Sequence, residues 1–115
     1  TFFLGDSIAE CTPNEALLQS GTVIGFDLLV IAVGVKPNIQ IALEAGLDVN
    51  RGILIDEGGR TSDADVFAAG DCTEGPEMII GRKTVLALLP NAYLQGETAG
   101  TNMAGGTASF DKAVA

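Results

Sequence analysis

The sequence predicts an α/β fold opened by an antiparallel meander, and three observations carry that expectation. Short apolar runs broken by turn residues fill the start of the chain, a near-continuous aliphatic run follows from Phe26 to Val33, and a helix-periodic stretch closes it from Asn91 to Ala104. Sheet elements followed by a helix are the order of an α/β or α+β chain, and the strand-then-helix ending favours the former.

Ser7 to Cys11, Ala16 to Gln19 and Thr22 to Ile24 are the meander strands, separated by Thr12-Pro13-Asn14 and by Ser20-Gly21, both turn-forming clusters. Phe26 to Val33, FDLLVIAV, has the unbroken β-branched character of a strand buried on both faces. It stops at Gly34, with Lys36-Pro37-Asn38 beyond. Asn38 is positioned to cap a short helix running to Ala45, with Ile39, Ala42 and Leu43 inward and Gly46 as its stop.

Gly52 to Asp56 is the next strand candidate, closed by a turn through Glu57-Gly58-Gly59-Arg60. Val66 to Ala69 is a third and very short one, ending at Gly70-Asp71. A Gly/Pro-bearing loop is expected around Glu74 to Pro76, then a strand near Met78 to Ile80. In the final helix, Tyr93, Glu97, Gly100 and Ala104 lie close to one stripe, and Ala92, Ala99 and Met103 on another.

Composition narrows the chemistry. At 115 residues with 47% hydrophobic and 18% charged, the chain has the size of one modest domain and buries roughly 65% of its unfolded surface if it folds as one. Fifteen acidic against six basic residues give a net charge of −9, and no basic cluster is present, so binding to nucleic acid or an anionic membrane is disfavoured. There is no histidine, which removes His-based zinc sites and Ser-His-Asp or Cys-His catalysis within the chain. No metal site is expected.

The two cysteines, Cys11 and Cys72, have neither disulfide-scaffold nor metal-ligand spacing, and free thiols fit a reducing, cytoplasmic setting. No apolar run approaches the membrane span of about 20 residues. The chain starts without methionine, directly in Phe2-Phe3-Leu4, which suggests a fragment cut from something longer.

The most informative stretch is Thr61-Ser62-Asp63-Ala64-Asp65-Val66-Phe67-Ala68-Ala69-Gly70-Asp71. An apolar strand delivering a glycine and then a carboxylate matches how open α/β sheets place ligands at strand ends. Gly70 allows close approach, and Asp71 is suited to accept hydrogen bonds from ligand hydroxyls. As a bare dipeptide, Gly70-Asp71 reads more simply as a turn or a helix cap.

The whole string resembles the second flavin-binding motif of the FAD-dependent pyridine nucleotide-disulfide oxidoreductase family: a Thr, a few residues, an apolar strand, then Ala-x-Gly-Asp. Two further stretches are similar to the same family. Asp27 to Asn38 resembles the strand and Gly-x-x-Pro-Asn junction that returns the chain from the nicotinamide-nucleotide domain to the FAD domain. Pro90-Asn91-Ala92 with Gln95-Gly96 resembles the helix that begins under the flavin ring. Within the family the sequence looks most similar to the NADH oxidase, nitrite reductase and rubredoxin reductase-like branch.

The resemblance implies a partial FAD/NAD(P)-binding fold of the three-layer ββα type. Residues 1–45 would be the tail of the NAD(P)-binding domain and residues 46–115 the returning half of the FAD-binding domain. It implies that Asp71 hydrogen-bonds the ribityl chain of FAD, that Gly70 and Ala69 line its approach, and that Asn91 and Ala92 present backbone N–H groups to the flavin. A helix N-terminus would stabilise negative charge on a reduced flavin. In the parent, hydride would pass from NAD(P)H to FAD and on to an acceptor.

No GxGxxG loop occurs in the chain, whereas a full member carries two, and the redox-cysteine motif of some members is also outside it. The isolated chain is therefore expected to be inactive, with no catalytic residue of its own. Cys72 reads as structural, since Asp71 beside it disfavours a thiolate. The alternative is a non-catalytic, homo-oligomeric α/β interaction module that has lost nucleotide binding and associates through exposed sheet edges.

Overall fold

A computed structural model of the chain describes residues 1–77 and 82–110. The chain divides into two compact units, residues 1–34 and 35–115. The strand expected near Met78 to Ile80 lies outside the described residues.

The first unit is the expected meander. Strands β1 (Ile8–Cys11), β2 (Glu15–Leu18) and β3 (Val23–Gly25) pair antiparallel in that order. Turn chemistry sets the register: the Thr12 hydroxyl accepts the Glu15 amide at 3.1 Å, while the Thr12 amide donates to Glu15 O at 2.8 Å. At the second turn, Gly21 takes φ +88°, a conformation that costs glycine nothing. Strand β2 alternates as a one-sided sheet requires, burying Ala16 and Leu18 and exposing Glu15 and Leu17. Asp6 accepts the amides of Ser7 at 2.9 Å and Ser20 at 3.3 Å. Hydrogen bonding from the Ser20 side chain foremost, and from these amides, lowers its pKa.

Phe26 to Val33 is not a strand. It belongs to neither three-stranded sheet, and Leu28 and Val33 are 80% and 88% exposed. β-Branched composition supplies the propensity, but a buried strand also needs ladder partners, and neither sheet supplies them here.

The second unit contains helix α1 (Gln40–Glu44), strands β4 (Ile53–Leu54), β5 (Thr73–Glu77) and β6 (Arg82–Thr84), and helix α2 (Leu89–Met103). Asn38 sits one residue before the N-cap, which is Ile39, and its Oδ1 accepts the Gln40 amide at 3.3 Å. Of the expected inner face, Ala42 alone is fully buried; Leu43 is exposed. The stop at Gly46 holds: Gly46 and Leu47 donate to Leu43 O and Ala42 O at 3.1 and 2.9 Å, and Gly46 has φ +76°. This is a Schellman closure, and α2 repeats it with Gly105 and Gly106 donating to Asn102 O and Thr101 O.

Strand β5 pairs parallel with β4 and antiparallel with β6. It occupies Glu74 to Pro76, where a loop was expected. Pro76 is tolerated because β4 pairs only with Thr73 and Glu74, so that at Pro76 the neighbouring strand is β6 alone. Val66 to Ala69, conversely, forms no strand; Phe67 makes a single bridge to Arg60, and the Arg60 guanidinium lies 4.7 Å over its ring. Gly70, at φ +86°, then turns the chain before a ladder can extend.

The apolar core of this unit is Ala42, Ile53, Ile55, Ala99 and Phe110, but its largest fully buried side chains are polar, Asn91 and Thr73. The buried face of α2 is Asn91, Gln95, Thr98 and Ala99, so that of the two stripes expected from sequence Ala99 alone is fully buried; Tyr93 and Met103 point to solvent. Among the described residues, no buried side-chain polar atom lacks a partner.

Candidate functional site

The site is built where the Gly70-Asp71 turn meets helix α2. Upstream, Thr61 closes its own loop: its amide and hydroxyl both reach Val66 O, at 3.0 Å each, and its oxygen accepts the Asp63 amide at 3.2 Å. The Ala68 amide donates to Gly59 O at 3.0 Å. Together these bonds deliver Ala69 and Gly70 at a fixed place. The Thr61-to-Asp71 string is thus a closed loop and a turn, with Gly70-Asp71 standing before β5 rather than at the end of a paired strand.

Gly70 is held on both of its backbone groups. Its amide donates to Gln95 Oε1 at 2.7 Å, and its carbonyl accepts the Thr73 amide at 3.0 Å and the Thr73 hydroxyl at 2.8 Å. The Thr73 hydroxyl is also 3.0 Å from Gln95 Oε1. Across the same contact, a methyl group on Gly70 would lie 3.7 Å from Ala92 Cβ, an ordinary van der Waals distance. The turn is therefore seated directly on the first turn of α2.

Of the residues singled out in the sequence, Gly70 and Ala92 are brought into this contact. Ala69 is half-buried, its carbonyl 3.5 Å from the Cys72 sulfur, and Asp71 is exposed. Asn91, at 0% exposure, is enclosed within the protein. The amide of Ala92 donates to Leu88 O at 3.0 Å, so it belongs to the helix's own ladder and is not offered outward. Pro90 has no N–H. The helix start therefore presents fewer donors than its sequence suggests.

Sequence reasoning did not single out Thr73 or Glu74, and it treated Gln95 only as part of a helix signature. Glu74 is 5% exposed and accepts the Gly52 amide at 3.1 Å, the Arg51 amide at 2.9 Å and Asn50 Nδ2 at 3.1 Å. Burial pushes its carboxyl up, but the bonds from Gly52, Asn50 and Arg51 and the Arg51 charge outweigh it and leave the pKa lowered. Two adjacent polar residues after Cys72 were the available signal, read as a loop. Among the described residues, no group of acidic or sulfur side chains is arranged to hold a metal ion.

This geometry defines a mixed α/β segment in which a glycine turn, tied by hydrogen bonds to a helix, carries an exposed carboxylate. The chain belongs to the pyridine nucleotide-disulphide oxidoreductase family, whose model matches residues 1–96. It is 33% identical over 92 residues to the rubredoxin-NAD(+) reductase of Pseudomonas putida, covering 80% of this chain and 24% of that protein. It is 37% identical over 97 residues to the NADH oxidase of Methanocaldococcus jannaschii, covering 84% of this chain and 22% of that protein. A solved FAD-dependent pyridine nucleotide-disulphide oxidoreductase from Desulfovibrio vulgaris superposes with a TM-score of 0.76 at 36% identity, over 90% of this chain and 27% of the other. The chain thus spans about a quarter of the length of these relatives. No helix among the described residues is long and apolar enough to cross a membrane.

Proposed function

We propose that the chain supplies the returning half of the flavin site in an FAD-dependent NAD(P)H oxidoreductase. Residues 1–45 are read as the tail of the NAD(P)-binding domain and residues 46–115 as the FAD-binding part. The observation that carries the reading is the Gly70 turn seated on α2, with the Asp71 carboxylate exposed beside it.

The donor set fits the group. A carboxylate accepts hydrogen bonds from the hydroxyls of a ribityl chain, and Gly70 and Ala69 offer a low backbone wall along which that chain can lie. The first turn of α2, with Asn91 and Ala92, would face the flavin with the positive end of the helix, the Ala92 amide itself being taken up by Leu88 O. Bound FAD supplies the redox chemistry, accepting hydride from NAD(P)H; the residues of this chain bind and orient it. The chain alone transfers no hydride, because it holds neither of the family's glycine-rich nucleotide loops. Its two free thiols suit a reducing, cytoplasmic setting.

The test is the visible absorption of the purified chain after FAD is added and the excess removed. Retained flavin absorbance, lost in Asp71→Ala, is the expected result. A folded but colourless protein overturns flavin binding by this chain. It would favour the second reading, a non-catalytic self-associating module, for which the exposure of Leu28, Val30, Ile31 and Val33 is the motivating observation. A monomeric mass in solution would count against that reading.

A further inference from the structure

Gln95 lies 25 positions from Gly70 in sequence and is 5% exposed, yet its side-chain oxygen receives the Gly70 amide at 2.7 Å and stands 3.0 Å from the Thr73 hydroxyl. A carbonyl oxygen has two lone pairs, so both donors can be served at once. The Gly70 carbonyl, the other half of that residue's backbone, is fixed by the Thr73 amide at 3.0 Å and lies 2.8 Å from the Thr73 hydroxyl, whose single proton it shares with Gln95 Oε1. The two peptide groups that flank Gly70 are therefore held one from each side, Ala69–Gly70 from the helix through Gln95 and Gly70–Asp71 from β5 through Thr73, and together they fix the backbone that leads into Asp71. Gly70 has φ +86°, and a glycine without such ties has the widest choice of alternatives. Asp71 itself is exposed, so the direction of its carboxylate depends on the peptide before it rather than on packing around it.

We infer that Gln95 is a positioning residue for FAD, acting through the Gly70 turn to aim the Asp71 carboxylate at the ligand's hydroxyls. Gln95 is 5% exposed and acts through the Gly70 backbone; Thr73 is its buried partner in the same latch. The inference rests on the flavin reading above, and it adds which residue outside the motif makes that motif work.

The experiment measures FAD affinity of the chain by quenching of flavin fluorescence. Gln95→Met keeps the length and removes the acceptor; Gln95→Glu keeps an acceptor oxygen. With Asp71 present, Gln95→Met should weaken FAD about tenfold, the size of a net hydrogen bond to a well-ordered group, whereas Gln95→Glu should largely restore affinity. In an Asp71→Asn background the Gln95→Met loss should shrink, because the carboxylate it aims is gone. Exchange of the Gly70 amide proton should quicken in Gln95→Met while the helical circular dichroism is retained. Thr73→Val, which removes the second donor on Gln95, should give a smaller loss with the same dependence on Asp71, and it serves if Gln95→Met does not fold.

Unchanged FAD affinity in Gln95→Met, or an equal loss with Asp71 and with Asn at that position, would overturn the inference while leaving the flavin reading intact. Absence of FAD binding by the unsubstituted chain would instead overturn the flavin reading, and this inference with it.

Discussion

Glu74 and Gly52 meet at two levels: the carboxylate accepts the Gly52 amide at 3.1 Å, and the Glu74 backbone nitrogen lies 2.8 Å from where a Gly52 side chain would begin. Strand β5 is thereby joined to the loop before β4 more closely than any residue with a Cβ would permit. The parallel pairing of Ile53 with Thr73 and Leu54 with Glu74 starts from this contact.

Gly52→Ala should therefore be among the costly single changes in the chain. Its Cβ would stand 2.7 Å from Thr73 C and 2.9 Å from Thr73 O, both backbone atoms that no rotamer change can move aside. A loss of about 1–3 kcal/mol is expected, as for an overpacked core. A urea titration followed by circular dichroism checks it, and an unchanged midpoint would contradict the close approach.

The lowered pKa of Glu74 makes stability depend on pH. The unfolded chain takes up its proton at higher pH than the folded one, so the contribution is fully present above the ordinary glutamate value, about 4.3. It is lost as pH falls through the lower folded value. The urea midpoint of the unsubstituted chain should fall more steeply on acidification than that of Glu74→Gln, whose neutral amide has no proton to gain. Parallel pH profiles would refute the assignment.

Asn102 joins the end of α2 to two loops. Its Nδ2 donates to Gly58 O and Ala108 O, each at 2.9 Å, and its Oδ1 accepts the Ala108 amide at 2.8 Å. Asn102→Ala leaves those backbone groups to find water, at an expected cost of about 1–3 kcal/mol. Hydrogen exchange at the Ala108 amide should rise in the variant, and protection equal to the unsubstituted chain would show the bond to be dispensable.

Glycines within α2 should respond in the opposite sense. A Cβ on Gly96 or Gly100 meets nothing within 4 Å, so Gly96→Ala and Gly100→Ala should each stabilise the chain by about 0.8–1 kcal/mol through helix propensity. Gly59→Ala should destabilise it, since Gly59 has φ +78° and its Cβ would lie 3.1 Å from Ala99 Cβ. Melting temperatures of the three variants test the contrast; a fall in all three would contradict it.

What could be read from sequence was what depends on near neighbours. The meander followed from Thr12-Pro13-Asn14 and Ser20-Gly21, and the end of α1 from Gly46, because each turn is closed by bonds a few residues long. Phe26 to Val33 misled because its residue types record a preference for burial, while a strand exists only beside another strand. β5 was hidden by Gly75 and Pro76, which mark loops unless the neighbouring strand happens to stop short. In the site, Gly70-Asp71 was visible through its resemblance to a flavin motif. The hold that Gln95 exerts on it was not, since nothing local to either residue records a contact 25 positions away.

The polar underside of α2 has a mechanical meaning. Apolar contacts are indifferent to direction, so a helix resting on them can roll by some degrees at little cost. Bonds from Gln95 to the Gly70 turn and from Asn102 to Gly58 and Ala108 are directional, and they grip the helix at its middle and near its end. Rotation about its own axis is locked at both grips. The angular position of every outward residue, Tyr93 and Glu97 among them, is set by hydrogen bonds on the side that solvent does not see.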